Sequence, residues 1–226
     1  MDPAGSGTMT RELALAPTLG DGPLPRTPSA EQYMGMPAEV PRRWTAREVR
    51  DLIAAAPFAT PRYELVDGEL LVTPSPAYVH QIAVLRLIGA LLPYLDAERV
   101  ATLIPSPSDV ELEPEFVTQP DLFAVPLGES RRVRVEGLPI RDLVLAIEVL
   151  SPSSSRHDRV RKRALYQRHV PQYWIVDLDA RLIERWVPGD ERPELITETL
   201  SWHPTGATTA FVLDLPAYFE SVFDTD

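Results

Sequence analysis

Asp121, Glu148 and Lys162 are the residues whose types and order could do hydrolytic chemistry. Asp121 follows Pro120 at the start of an apolar segment, and Glu148 lies 27 positions later. Glu148 comes directly after the run Leu143-Val144-Leu145-Ala146-Ile147, and Val149 and Leu150 follow it. A run of that kind fits a strand covered on both faces, so Glu148 is expected near the end of a central strand. A carboxylate taken out of water there is costly unless a metal ion or a cation compensates it. Two carboxylates on neighbouring strands can hold one hard cation, Mg²⁺ or Mn²⁺, completed by water and substrate. Lys162 is the only lysine in the chain; every other basic side chain among the 22 Lys and Arg is arginine. A compact ammonium differs chemically from a guanidinium. It can orient an attacking water and stabilise charge building on a phosphate. Together the three make a minimal phosphodiester-hydrolysing site.

The elements that must position these residues follow from local pattern. Thr45-Ala46-Arg47-Glu48 is a capping box, and Val49, Leu52 and Ile53 give a short amphipathic helix. Tyr63–Val66, Asp67-Gly68 and Glu69–Val72 read as a hairpin with a two-residue type I′ turn. A helix is expected over Ala77–Leu95, with Ile82, Leu85, Ile88 and Leu92 as its apolar stripe and Val84, Leu87 and Leu91 widening it. Strands are expected near Val100–Ile104, Asp109–Glu113 and Gln119–Val125, and Gly128–Pro139 reads as a loop. Ser151–Ser155 is a turn with several possible helix caps, and a helix runs on to about His169. Gln172–Asp177, Arg181–Val187, Glu194–Thr199 and Thr209–Leu213 complete the strands. This order suits an α/β (α+β) fold, a mixed central sheet flanked by helices, with the hairpin as an N-terminal extension.

Residues 1–43 are rich in Pro, Gly, Ala and Thr and are expected to be a flexible tail with one short turn near Ala30–Met34, leaving 44–226 as a single domain. No cysteine is present, which removes disulfides and thiolate metal sites and is compatible with a reducing cytosol. No apolar run reaches about 18 residues, so no membrane span is expected. The N-terminus lacks a basic segment followed by an apolar one, so a cytoplasmic location is expected. The formal net charge of −11 argues against indiscriminate polyanion binding, although a locally basic groove remains compatible with it. Arg156, Arg159, Arg161, Arg163 and Arg168 form such a patch around Lys162.

Pro120-Asp121, Glu148-Val149-Leu150-Ser151-Pro152, Asp158…Lys162…Tyr166 and Pro171–Asp177 resemble the Uma-type restriction endonucleases of the PD-(D/E)XK nuclease superfamily. Tyr63–Leu70 and Pro74-Ser75-Pro76…His80 resemble that family's N-terminal half, so the resemblance spans about Arg62 to Trp186. It implies a restriction-endonuclease-like core in which Asp121 and Glu148 bind the divalent ion. The superfamily pattern places a lysine two residues after the glutamate, where this chain has Leu150. Uma-type proteins depart in the same way, and Lys162 on the following helix is the matching residue. The resemblance also carries Glu69 and His80 to the site.

The resulting expectation is a Mg²⁺-dependent endonuclease acting on DNA, with Asp121, Glu148, Lys162, Glu69 and His80 at its centre. Each residue also has a structural reading. Asp121 could cap a turn, Glu148 could belong to a buried ion pair, and Lys162 could pair with Asp158 on a solvated helix face. His80 could be a core histidine. A nuclease fold serving only as a binding or assembly module is the alternative function, and hydrolysis of a small phosphate ester is a third. A homodimer is expected, because the apolar helix leaves surface to cover.

Overall fold

Thr45 opens the first described helix, and its capping box forms as the sequence predicts. Its hydroxyl accepts from Glu48 N at 3.3 Å, while Glu48 Oε2 accepts from Thr45 N at 2.9 Å. The computed structural model of the chain describes residues 42–58, 60–112, 116–130, 138–150 and 158–224. Almost all of the expected tail, including its turn near Ala30–Met34, lies outside them, as do the Ser151–Ser155 turn and most of the loop expected between Gly128 and Pro139.

Helix α1, Ala46–Ala55, buries Ala46 and Val49 against β1 (Arg62–Val66). β1 turns into β2 (Glu69–Thr73) through Asp67 and Gly68, whose φ of 49° and 75° are the two positive values a type I′ turn needs. Helix α2 follows over Tyr78–Glu98, then β3 (Ala101–Pro105), β4 (Val110–Leu112), β5 (Phe116–Thr118) and β6 (Leu122–Pro126). A short helix α3 (Leu127–Ser130), β7 (Leu138–Pro139) and β8 (Leu145–Val149) come next. A π-helical turn at Asp158–Lys162 runs into α4 (Arg163–His169). β9 (Tyr173–Asp177), β10 (Leu182–Trp186), β11 (Glu194–Ile196), β12 (Thr199–Trp202), β13 (Phe211–Asp214) and α5 (Leu215–Phe223) close the order.

The strands form a six-stranded sheet ordered β11-β10-β9-β8-β6-β3, a five-stranded sheet ordered β2-β1-β5-β4-β7, and the pair β12-β13. In the larger sheet only β8 and β9 run parallel, as a crossover through the π-turn and α4 requires. Its two faces alternate along each strand. Leu122, Ala124, Leu145 and Ile147 pack under α2 and α5, while Phe123, Val125, Ala146 and Ile175 pack with Leu165 and Tyr166 of α4. Tyr173 and Trp174 are both fully buried, one on each face.

Several elements differ from the sequence reading. The strand expected over Gln119–Val125 is β6, which starts only at Leu122; the residues just before the expected strand, Phe116–Thr118, form β5, so this stretch of chain divides between the smaller sheet and the larger. Pro120 has no N–H for the ladder, and the chain changes sheets there. Glu194–Thr199 likewise divides between β11 and β12, and α5 was not expected. Asp214 caps α5 by accepting from Ala217 N at 2.9 Å, and Pro216 sits in its first turn. The core face of α2 is Ala83, Leu87, Leu91 and Leu95, not the predicted stripe: Leu85 and Leu92 are exposed. A helix apolar on most sides gives no sequence signal for which side meets the sheet. By length and composition α2 could cross a membrane; here Leu87, Leu91 and Leu95 are buried in the core beneath the sheet.

Candidate functional site

The site lies where the chain passes from the smaller sheet to the larger, at Gln119–Asp121. Leu122 pairs with Ile147 in the antiparallel β6–β8 ladder, so one step further Asp121 faces Glu148. Directly opposed residues put their side chains on one face, about 5 Å apart at Cβ. The peptide after Glu148 also binds Asp121, since Val149 N donates to Asp121 Oδ2 at 2.9 Å.

Two further elements reach Asp121. From β1, Arg62 Nη1 donates to Asp121 Oδ1 at 3.0 Å and also to Ser106 Oγ and the Gln119 carbonyl. From the first turn of α2, His80 Nε2 donates to Asp121 Oδ2 at 3.1 Å. Asp121 is 4 % exposed, and burial alone would raise its pKa. The His80 hydrogen bond and charge, Arg62 and the Val149 N–H outweigh burial and hold it down at about 2. Burial likewise opposes the Arg62 charge, but Asp121, Glu148 and Glu64 more than offset it and raise its pKa.

Lys162 reaches the same cluster from the π-turn. Its Nζ lies 3.0 Å from Glu148 Oε1 and 2.9 Å from Glu64 Oε2, and its side chain is 3 % exposed. A solvated helix-face pairing is therefore excluded, and the side chain of Asp158 lies outside the described residues. Glu64 Oε1 in turn accepts from Gln119 N at 2.7 Å. Tyr166 lies beside the cluster, bonded to Thr118 Oγ1 at 2.8 Å, its pKa well above the ordinary value because of burial and then Glu148.

Asp121, Glu148, Lys162 and His80 thus come together, and Glu69 does not. Glu69 is half exposed at the hairpin and pairs with Arg161. The arginine patch is also partly committed, since Arg163 bonds Gln167 and lies over the Trp186 ring. The side chains of Arg156 and Arg159 lie outside the described residues.

Arg62 and Glu64 were missed. They stand two apart on β1, which puts both on one strand face. The signal available was a charged residue at two alternate positions, 62 and 64, of an otherwise hairpin-like segment, with no way to know that this face meets the second sheet.

A family model described as Uma2, "Putative restriction endonuclease", matches residues 50–215. Among solved structures, a crystal structure described as a putative nuclease belonging to DUF820, from Anabaena variabilis ATCC 29413, superposes with a TM-score of 0.60. The two sequences are 20% identical, and the match covers 76% of this chain and 97% of that one. At that identity the likeness is one of fold: mixed sheets flanked by helices, restriction-endonuclease-like. No curated protein matches the chain.

Proposed function

We propose that this chain, which belongs to the Uma2 family of restriction-endonuclease-type proteins, is a divalent-metal-dependent nuclease that hydrolyses phosphodiester bonds in DNA. The observation that carries the reading is the buried convergence of Asp121, Glu148, Lys162, Glu64 and Arg62 at the junction of the two sheets.

The donor set suits Mg²⁺ or Mn²⁺. Both candidate ligands, Asp121 and Glu148, offer hard oxygens, and Mg²⁺ is commonly held by one or two carboxylates with water and phosphate filling the rest. Among the described residues no group of three or more acidic, His or Cys side chains could hold an ion by itself, so water and substrate would have to complete the shell. Asp121 accepts from three donors, leaving one of about four lone-pair directions on its carboxylate.

When bound, the ion would lower the pKa of a coordinated water and offset charge on the phosphate. The protein's own part is positioning. Asp121 and Glu148 would hold the ion. His80 and Arg62 fix the Asp121 carboxylate, and Glu64 holds the Lys162 ammonium beside Glu148, where it would orient water or meet developing negative charge. Glu69 has no part in this reading.

Plasmid cleavage with Mg²⁺ or Mn²⁺ tests the proposal, comparing wild type with Asp121→Ala and Glu148→Ala. The reading expects cleavage by wild type alone; equal nicking by all three would assign it to a contaminant. A binding module without catalysis is favoured if Mn²⁺ fails to bind. We further propose a homodimer formed through Tyr78, Leu85 and Leu92, exposed at seven-residue spacing along α2.

A further inference from the structure

We infer that a cavity between the end of α1 and the start of β1 is a pocket for one unpaired nucleobase; the base's place in a nucleic-acid strand rests on the nuclease reading above. The cavity has a volume of about 460 Å³, within the range of roughly 300–1,000 Å³ of small-molecule sites. Ile53, Phe58, Tyr63, Pro57, Pro61 and Pro107 supply its apolar walls. Arg62, Asp109 and Gln119 form its polar end. Asp121, Glu148, Lys162 and His80 do not line it, so it is separate from the acid cluster.

The polar end suits a neutral ring that carries a donor beside an acceptor. Gln119 is 4 % exposed, and its Nε2 donates to Asp109 Oδ1 at 2.7 Å. An ionised carboxylate accepts and cannot donate, so this bond fixes which end of the amide is oxygen. Gln119 Oε1 is then an acceptor, buried and without a hydrogen-bond partner among the described residues. Arg62 Nε is a donor in the same condition, while Nη1 of that side chain serves Asp121. Buried polar groups are seldom left unmet. A base edge that donates to the amide and accepts from the guanidinium would satisfy both, after the small side-chain adjustments common on binding. Arg62 and Asp109 are the charged residues of the lining, one of each sign, so the cavity favours a neutral ligand over an ion.

The apolar walls add stacking. Phe58 is 76 % exposed and Tyr63 is half-buried, so two aromatic rings border a cavity that solvent reaches. Enzymes that act on an extruded nucleotide hold its base in this manner, with hydrogen bonds to one edge and apolar contacts on its faces. Arg62 joins the two sites, because a base held at its Nε is tied through Nη1 to Asp121.

The test is calorimetric titration of the full chain, in EDTA, with two DNA duplexes that differ at one position. One carries a single bulged nucleotide, the other an abasic residue in its place. Free deoxynucleosides are titrated in parallel. The variants are Phe58→Ala, at an exposed position, and Gln119→Met, which keeps the volume and loses the acceptor. Phe58→Ala decides the outcome if Gln119→Met fails to fold. Wild type is expected to bind the bulged duplex about tenfold more tightly than the abasic one, the worth of one stacked base. Both variants are expected to lose that preference. No preference by wild type and no nucleoside binding overturns the pocket, as does a preference that survives Phe58→Ala. Nucleoside binding without a preference between the duplexes overturns the strand assignment. Neither metal nor cleavage enters these titrations, so an absence of plasmid cleavage would sink the nuclease reading alone.

Discussion

The ammonium of Lys162 lies 2.9 Å from the Glu64 carboxylate, a contact that joins the turn after the central strand to the first strand of the smaller sheet. Lys162 also holds Glu148 at 3.0 Å, so one buried cation separates two buried anions. Removing one member of such a cluster leaves uncompensated charge away from water. Lys162→Met is expected to lower unfolding free energy by about 3–5 kcal/mol, measured by urea denaturation. A loss under 1 kcal/mol would mean that water reaches Glu64 and Glu148 freely.

The exposed pair Arg161–Glu69 gives the contrast. Glu69→Ala is expected to cost less than about 1 kcal/mol and to leave any plasmid cleavage unchanged. A large loss of cleavage with normal stability would return Glu69 to the site.

Stability at low pH depends on Asp121. Its folded pKa, about 2, lies below the ordinary 3.8. A lowered carboxylate pKa means that the unfolded chain takes up the proton more readily, so the stabilisation is present above the ordinary value and is lost as pH falls through the folded one. Thermal melts are expected to fall between about pH 4 and pH 2, with a shallower fall in Asp121→Asn. Identical slopes in both proteins would contradict the assignment.

The elements around the site were largely legible in the sequence. The Thr45 capping box, the Asp67-Gly68 turn and the apolar run ending in Glu148 each carry a local signal, because caps, turns and covered strands depend on neighbouring residues. Arg62 and Glu64 were not legible, because their role comes from a second sheet meeting β1 across Gln119, a contact between residues 55 apart for Glu64. The working face of α2 was likewise set by what packs on it rather than by its own period. Glu69, matched by motif, lies at the turn end of the hairpin opposite Val66, where its carboxylate is half exposed and pairs with Arg161 rather than with the cluster.

Exposed Tyr78, Leu85 and Leu92 predict self-association. Sedimentation equilibrium is expected to give a dimer for wild type and a monomer for Leu85→Glu, with both folded by circular dichroism. A wild-type monomer at tens of micromolar would remove the α2 interface.

Crystals soaked in Mn²⁺ and measured at the manganese edge test most directly whether Asp121 and Glu148 share one divalent ion. The account predicts a single anomalous peak bonded by a carboxylate oxygen of each, at about 2.1 Å, with Lys162 remaining alongside. No peak there, or a peak held by other residues while Asp121 keeps only Arg62, His80 and Val149 as partners, would contradict it.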